Sequence, residues 1–162
     1  MLKQGELDAV ILALPVNEDN IEEFELYDEP FLLAVASNHQ KAGSSLLAAD
    51  ALEGENVLLL EDGHCLRDQA LAICQTNGGV ESSGYSATSL ETLRELVSAG
   101  LGVTLMPELA VQATKTSHVN ISYIPLSDPT LSRTVGLCWR KSSTRRNLLS
   151  KFSYSLGDYL KS

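Results

Sequence analysis

The chain has 162 residues, of which 44% are hydrophobic and 20% are charged, so it can form a buried core and is not a disordered segment. Acidic residues outnumber basic ones by 21 to 12, and the net charge is −9. DNA binding normally requires a concentrated basic patch, and the bases at 140–146 are equally well explained as the start of a helix. We therefore predict that this chain does not itself bind nucleic acid.

No apolar run approaches the roughly 20 residues that a membrane span needs. The N-terminus also lacks the basic, apolar and small-residue order of a secretory signal. We therefore expect a cytoplasmic protein that has no membrane partner.

Apolar runs and turn residues predict the elements of the first half of the chain. Strands are expected at 8–14, 24–27, 31–36 and 57–60, with Pro30 separating the second from the third, and a short helix at 46–53. A polar turn at 61–64 leads into a helix from about 65 to 76, which Asn77, Gly78 and Gly79 end. Residues 86–88 are expected to be extended.

The second half of the chain continues the alternation of helices and strands. Thr88-Ser89-Leu90-Glu91 matches a capping box, in which Thr88 is the N-cap and Glu91 lies three residues later. The helix that it begins ends at Gly100. A strand at 102–106, a helix begun by Pro107, strands at 119–124 and 133–139 and a helix at about 143–160 follow. The last helix is expected to bury Leu148, Leu149, Phe152, Leu156 and Tyr159.

Strands that alternate with helices indicate an α/β fold with largely parallel, covered sheets. Two such units fit the length, and the chain is expected to cross between them within 15–30 and again at 133–140. We predict that 1–28 belongs to a first lobe, that 29–132 forms a second lobe, and that 133–162 returns to the first. A cleft between two lobes is a common ligand site.

The segment that carries chemistry runs from Glu61 to Cys74. Cys65 follows a strand and a glycine turn and lies in the first turn of a predicted helix, where the helix dipole favours a thiolate. His64 and Arg67 are adjacent and can add positive charge. Thiolate character and access make a cysteine react with peroxide. Asp68 most simply compensates the helix dipole.

Cys74 is the candidate partner of Cys65, because a nearby thiol captures a sulfenic acid as a disulfide. Nine residues of helix span about 13.5 Å and place the two side chains on opposite faces. A disulfide needs Cα atoms within roughly 7 Å. A bond between these cysteines therefore requires residues 66–73 to unwind or refold, which makes oxidation a conformational switch.

Other interpretations of these residues are weaker. A zinc site needs four well-spaced ligands, so we predict no metal and no cofactor. Cys138 lies in a predicted strand and is expected in the core. Arg133 is as well explained as a solvated edge residue, and Thr88 and Ser89 as helix caps, although a hydroxyl-bearing helix start that faces a cleft can hold an anion.

These motifs resemble one known family. GHCLRDQ with a cysteine nine residues further on, together with ATSLETLR, GVTLMP and RTVGL, closely resembles the hydrogen-peroxide-sensing transcription regulators of the LysR type. The resemblance runs from LDAVILAL to the C-terminal helix. It implies a periplasmic-binding-protein-like regulatory domain of two α/β lobes. The first lobe is expected to be incomplete here, and no DNA-binding domain is expected in this chain.

The resemblance also implies roles and partners. Cys65 would be the peroxide-reactive cysteine and Cys74 its resolving partner, with His64, Arg67 and Arg133 around the reactive sulfur. Oxidation would refold 65–74 and alter the contacts of a homodimer or tetramer, whose surface includes the helix 89–99. DNA would be bound only through the N-terminal domain of the regulator, and RNA polymerase would be bound by the whole regulator. A thiol reductant would restore the two free cysteines.

Two rival functions follow from the same residues. One is a LysR-type effector domain that binds a small metabolite and whose cysteines are incidental; it predicts that Cys65→Ser changes nothing. The other is a thiol peroxidase, but the sequence lacks the usual peroxidase loop, so we predict that the chain is not an enzyme.

Overall fold

The computed structural model describes residues 1–62, 65–113 and 120–160. The strands are β1 (Ala9–Ala13), β2 (Ile21–Ala36), β3 (Asn56–Leu60), β4 (Val80–Ala87), β5 (Thr104–Pro107), β6 (Ile121–Pro125) and β7 (Ser132–Arg140). The helices are α1 (Cys65–Thr76), α2 (Leu90–Ser98), α3 (Glu108–Gln112) and α4 (Arg146–Leu160), with a 3₁₀ turn at Ala49–Leu52. Within the described ranges, no helix is long and apolar enough to cross a membrane.

The chain divides into two compact units. The first unit comprises Met1–Glu29 and Arg133–Ser162, and the second comprises Pro30–Ser132. The first unit has a small core around Leu26, Leu137 and Trp139. The second has a larger core, which β2, β3, β5 and β6 build together with the buried sides of α1 and α2.

The strand pairing corrects the expectation of largely parallel sheets. In the first unit β1 pairs antiparallel with β7. In the second unit β2 pairs antiparallel with both β5 and β6, and β3 pairs with β4 in parallel. The alternation of strands and helices fixes strand direction only when consecutive strands pair, as β3 and β4 do across α1.

Pro30 does not interrupt the second strand, contrary to the sequence-based expectation. β2 is continuous for 16 residues. Proline is tolerated in a strand where its missing N–H breaks no ladder bond. Pro30 is exposed, and the pairing of β2 with β5 begins one residue later at Phe31.

The face that α4 buries is not the predicted one. Leu148, Phe152 and Tyr159 are 64%, 51% and 76% exposed, whereas Ser153 and Gly157 are buried. A Cβ at Gly157 would lie 3.6 Å from the Phe24 ring. Two small residues, Ser153 and Gly157, thus face the rest of the first unit, and a Cβ at 157 would be in ordinary van der Waals contact with the Phe24 ring. Leu149 and Leu156 do pack against the core, as predicted.

The start of α2 also differs from the prediction. Ser89, not Thr88, is the N-cap, and its Oγ accepts a hydrogen bond from the Thr92 N–H at 3.1 Å. Glu91 therefore falls within the first turn, where it forms an ion pair with the buried Arg94 at 2.6 Å. Both Thr88 and Ser89 carry a hydroxyl that can cap a helix, but only the Thr88 register places an acid three residues later, so the capping-box pattern selected the wrong residue. The expected end of the helix is confirmed, since Gly100 has a φ of 75°.

The basic residues before α4 bind groups of the first unit. Arg140 donates to backbone carbonyls, Lys141 donates to the Asp19 carbonyl, and the two later arginines form ion pairs with carboxylates. Those arginine pairs are Arg145 with Asp8 and Arg146 with Glu22. The cluster thus joins the start of α4 to the N-terminal part of the chain.

Candidate functional site

The first turn of α1 carries an exposed cysteine. β3 ends at Leu60, and α1 begins at Cys65, whose side chain is exposed. The helix buries Leu66, Ala70 and Cys74, which are spaced four residues apart and share one face. Cys65 and Cys74 belong to one intact helix, so their Cα atoms are separated by about 13.5 Å along its axis. The predicted bounds of this helix, 65 to 76, are confirmed.

Cys74 is buried, with 1% of its surface exposed. Its sulfur lies against β4, because a Cβ at Gly79 would be 2.7 Å from Cys74 Sγ. The Gly79 N–H donates to the Cys74 carbonyl at 3.0 Å. Burial, with a smaller contribution from Glu81, raises the pKa of the Cys74 thiol. The thiol is therefore protonated and shielded while α1 is folded.

Arg67 is held by two carboxylates. Its Nε donates to Asp62 Oδ1 at 2.6 Å, and its Nη2 donates to Glu81 Oε1 at 2.9 Å. Both bonds raise the pKa of the Arg67 guanidinium, and the bond to Asp62 has the larger effect. The Arg67 side chain is only 17% exposed. The first turn of α1 is thereby attached both to the loop that precedes it and to β4.

The other predicted residues of this loop have simpler positions. Asp68 is exposed in the first turn of α1, where a carboxylate compensates the helix dipole. His64 lies outside the described residues, so its predicted place beside the sulfur stays a prediction.

Thr88 and Ser89 follow β4 at the same sheet edge from which the Cys65 loop leaves β3. Leu60 pairs with Ala87, and the Glu61 N–H donates to the Ala87 carbonyl at 3.0 Å. The carboxyl ends of parallel strands form a common location for ligand sites. The Ser89 hydroxyl is engaged in capping α2, and Thr88 is exposed. Their anion-binding role stays a prediction.

Arg133 belongs to the first unit and binds a buried carboxylate. Its Nε and Nη2 both lie 2.7 Å from Glu29 Oε2, and Glu29 is only 2% exposed. This ion pair gives Arg133 a structural function in the first unit. Its predicted place beside the reactive sulfur stays a prediction.

A cavity of about 440 Å³ lies beside Arg67 in the second unit. It is bounded by the end of β3, the following loop and β4. Its polar lining includes three carboxylates, one guanidinium and three hydroxyl groups: Glu61, Asp62, Glu81, Arg67, Ser82, Tyr85 and Ser86. The balance of charges favours a small neutral or cationic polar molecule over an anion.

Sequence reasoning missed Glu81 and Gly79. Glu81 is 14 residues from Arg67, and only the parallel pairing of β3 with β4 brings it there. Gly79 was interpreted as part of a helix stop, although it also makes room for the Cys74 sulfur. No local pattern in the sequence indicates either contact.

The comparisons with known proteins agree with this architecture. Residues 1–161 match the model of the LysR substrate binding domain. The chain therefore belongs to the family of LysR substrate-binding domains. Within this family it is 42% identical, over 161 residues, to the hydrogen peroxide-inducible genes activator of Haemophilus influenzae, covering 99% of this chain and 53% of that protein. The chain spans about half the length of the curated relatives it matches.

Solved structures of OxyR resemble the chain in both redox forms. The oxidised form of OxyR matches with a TM-score of 0.80 and 41% identity, over 99% of this chain and 75% of that one. The reduced form matches with a TM-score of 0.80 and 39% identity, over 97% and 73%. The expected two-lobe regulatory-domain fold is thus confirmed.

Proposed function

We propose that this chain is the redox-sensing regulatory domain of a transcription regulator that responds to hydrogen peroxide. One observation carries the proposal: an exposed cysteine at the start of α1 and a buried cysteine nine residues later in the same helix. The identity with a peroxide-inducible genes activator supports it. The exposed position of Cys65 gives peroxide access to its sulfur, and a cysteine sulfur is the nucleophile that attacks a peroxide oxygen.

The proposed reaction has two steps. The Cys65 thiol and one molecule of hydrogen peroxide give a sulfenic acid and one water. The Cys74 thiol then attacks that sulfur, an S–S bond forms, and the sulfenic oxygen leaves as a second water. The two cysteines lose two electrons, which the peroxide accepts.

The second step requires α1 to open. A disulfide needs Cα atoms within roughly 7 Å, and the intact helix keeps these residues about twice as far apart. Opening also exposes the Cys74 thiol, whose burial and raised pKa suppress its reactivity in the folded helix. The bond therefore stabilises a rearranged 65–74 segment, which changes the surface that the domain offers to its partners.

The proposal extends to the complete regulator. DNA is bound through a separate N-terminal domain, the regulatory domains associate as dimers or tetramers, and α2 forms part of that surface. RNA polymerase is recruited by the whole regulator, and a cellular thiol reductant restores the dithiol. His64, Arg67 and Arg133 stabilise the reactive sulfur, while Cys138 takes no part.

The test is peptide mapping by mass spectrometry after stoichiometric peroxide. We expect a loss of two hydrogens that maps to a Cys65–Cys74 bridge. Cys74→Ser should instead retain one added oxygen on Cys65. Cys138→Ser is the matched control, because Cys138 is buried in the first unit, and it should form the bridge as the wild type does.

Two results would contradict the proposal. One is that both thiols stay free after peroxide treatment while the protein stays folded. This result must hold both for this chain and for a chain as long as its full-length relatives. The other is that a small metabolite raises the melting temperature equally in the wild type and in Cys65→Ser, which is the result that a metabolite-binding domain predicts.

A further inference from the structure

A short segment at the start of β4 contacts both ends of the 65–74 segment. Gly79 binds the Cys74 carbonyl and lies against the Cys74 sulfur. Two residues later, the Glu81 carboxylate binds Arg67 in the first turn of α1 at 2.9 Å. The first turn of α1 is therefore attached to β4 through Glu81, and its other end is closed by Gly79, the residue that precedes β4.

We infer that Glu81 is a positioning residue for the cysteine reaction, and that its ion pair with Arg67 holds α1 closed and so favours the dithiol form. The inference rests on the proposed function, since it requires α1 to open when Cys65 and Cys74 join. Glu81 touches neither sulfur in this role. It acts through Arg67, two residues from Cys65.

The two carboxylates that bind Arg67 differ in what they attach it to. Asp62 lies five residues before Arg67 in the loop that leads into α1, is 94% exposed, and can move with the helix start. Glu81 lies in β4, opposite Val57 of β3 in the parallel pairing, and is 43% exposed. The ion pair with Glu81 thus connects the first turn of α1, which moves when the helix opens, to β4, which remains in the sheet.

Glu81 has a second effect, which works in the opposite direction at equilibrium. Its negative charge disfavours the thiolate of Cys74, after the larger effect of burial. Removal of the charge makes this thiolate easier to form, which stabilises the dithiol form wherever the thiolate is populated. Because burial keeps the Cys74 thiol protonated near neutral pH, the release of Arg67 determines the equilibrium constant there.

The test measures the equilibrium between dithiol and disulfide against reduced and oxidised glutathione. One S–S bond breaks in oxidised glutathione and one forms between Cys65 and Cys74, so two electrons and two protons pass from the protein to the reagent, which leaves as two molecules of reduced glutathione. Peroxide is not needed, which separates disulfide formation from peroxide reactivity. The variant is Glu81→Gln, and the charge-matched control is Glu25→Gln, at an exposed strand position in the first unit.

We expect Glu81→Gln to raise the equilibrium constant for the disulfide about two- to five-fold, the range for a partly exposed ion pair. Glu25→Gln should leave the equilibrium constant unchanged. Raising the salt from about 0.1 M to about 1 M should bring the wild type towards the variant, because salt screens exposed pairs, and should move the variant little. A purely steric effect of the substitution would not depend on salt.

The pair itself is isolated by a double-mutant cycle. In an Arg67→Gln background, Glu81→Gln should have little further effect on the equilibrium constant. If Glu81→Gln still raises the constant as much in this background as in the wild type, or if Glu81→Gln behaves like Glu25→Gln, the inference is wrong. If the wild type forms no bridge in this redox couple, the proposed function itself fails.

Discussion

Leu66 offers a direct measure of how far α1 opens when the disulfide forms. It lies between the two cysteines and is 8% exposed in the core of the second unit. Truncation of a buried leucine to alanine costs about 2 to 5 kcal/mol. Because Leu66 occupies the first turn of α1, we expect Leu66→Ala to destabilise the dithiol form by about 2 to 3 kcal/mol, at the lower end of that range.

The disulfide form should not bear this cost, because the proposed opening removes Leu66 from its site. The substitution should therefore favour the disulfide. For a two-electron couple, 1.4 kcal/mol corresponds to about 30 mV, so the midpoint potential should become more negative by about 40 to 65 mV. The assay is a redox titration with the fraction of bridged protein read by mass spectrometry after thiol blocking.

The matched control is Leu93→Ala. Leu93 is 2% exposed in the same core but lies in α2, outside the cysteine segment. It should lower the thermal stability of both redox forms by similar amounts and leave the midpoint potential in place. Equal midpoint potentials for the two variants would refute the reasoning, because they would mean that Leu66 keeps its site when the bond forms.

Two further predictions concern stability. Ser89→Ala should lower the free energy of unfolding by about 1 kcal/mol through loss of the α2 N-cap, whereas Thr88→Ala should have almost no effect; denaturant titrations check both, and equal losses would contradict the assigned cap. Burial raises the pKa of Cys138 to about 11. The protonated, buried thiol therefore contributes its full stability below the pKa of the unfolded chain, near 9, and this stability is lost as the pH rises to about 11. Relative to Cys138→Ala, the wild type should lose roughly 2 to 3 kcal/mol over that interval, measured by denaturant titration at each pH, and parallel curves would contradict the assignment.

The cysteine helix could be predicted because its signals are local. An apolar side repeats every four residues through Leu66, Ala70 and Cys74, and Gly78, with a φ of 75°, follows its end. A helix start, a periodic face and a glycine stop each depend on a few neighbouring residues. The chemistry proposed for Cys65 depends on the same local features, which is why this part of the site could be predicted.

The orientation of α4 could not be predicted in the same way. Its sequence offers apolar residues on more than one side, and counting them selects Leu148, Phe152 and Tyr159, which the structure leaves exposed. The side that packs depends on the residues it contacts in the tertiary structure, and at Gly157 that neighbour is the Phe24 ring. Periodicity shows that a helix is amphipathic but not which small residues allow close packing.

Most of β4 and its contacts escaped prediction for a related reason, although its end falls within the segment expected to be extended, 86–88. The strand has eight residues, of which only Ala87 is buried, so it lacks the apolar alternation that indicates a strand. Its pairing with β3 determines its conformation. The contact of Glu81 with Arg67 follows from that pairing, and a contact that depends on tertiary structure leaves no local pattern.

The buried side of α1 gives the proposed switch a preferred direction of return. Leu66, Ala70 and Cys74 are buried in the folded helix, so the proposed opening of α1 would remove these apolar groups from the core in the disulfide form. Once a reductant opens the bond, refolding of the helix is driven by the chain itself. The reductant then needs only to deliver two electrons to the disulfide, and it does not have to refold the 65–74 segment. A sensor of this kind is switched on by oxidation of its cysteines and returns to its starting fold once the bond is reduced. The supply of reducing equivalents therefore determines how long its signal lasts.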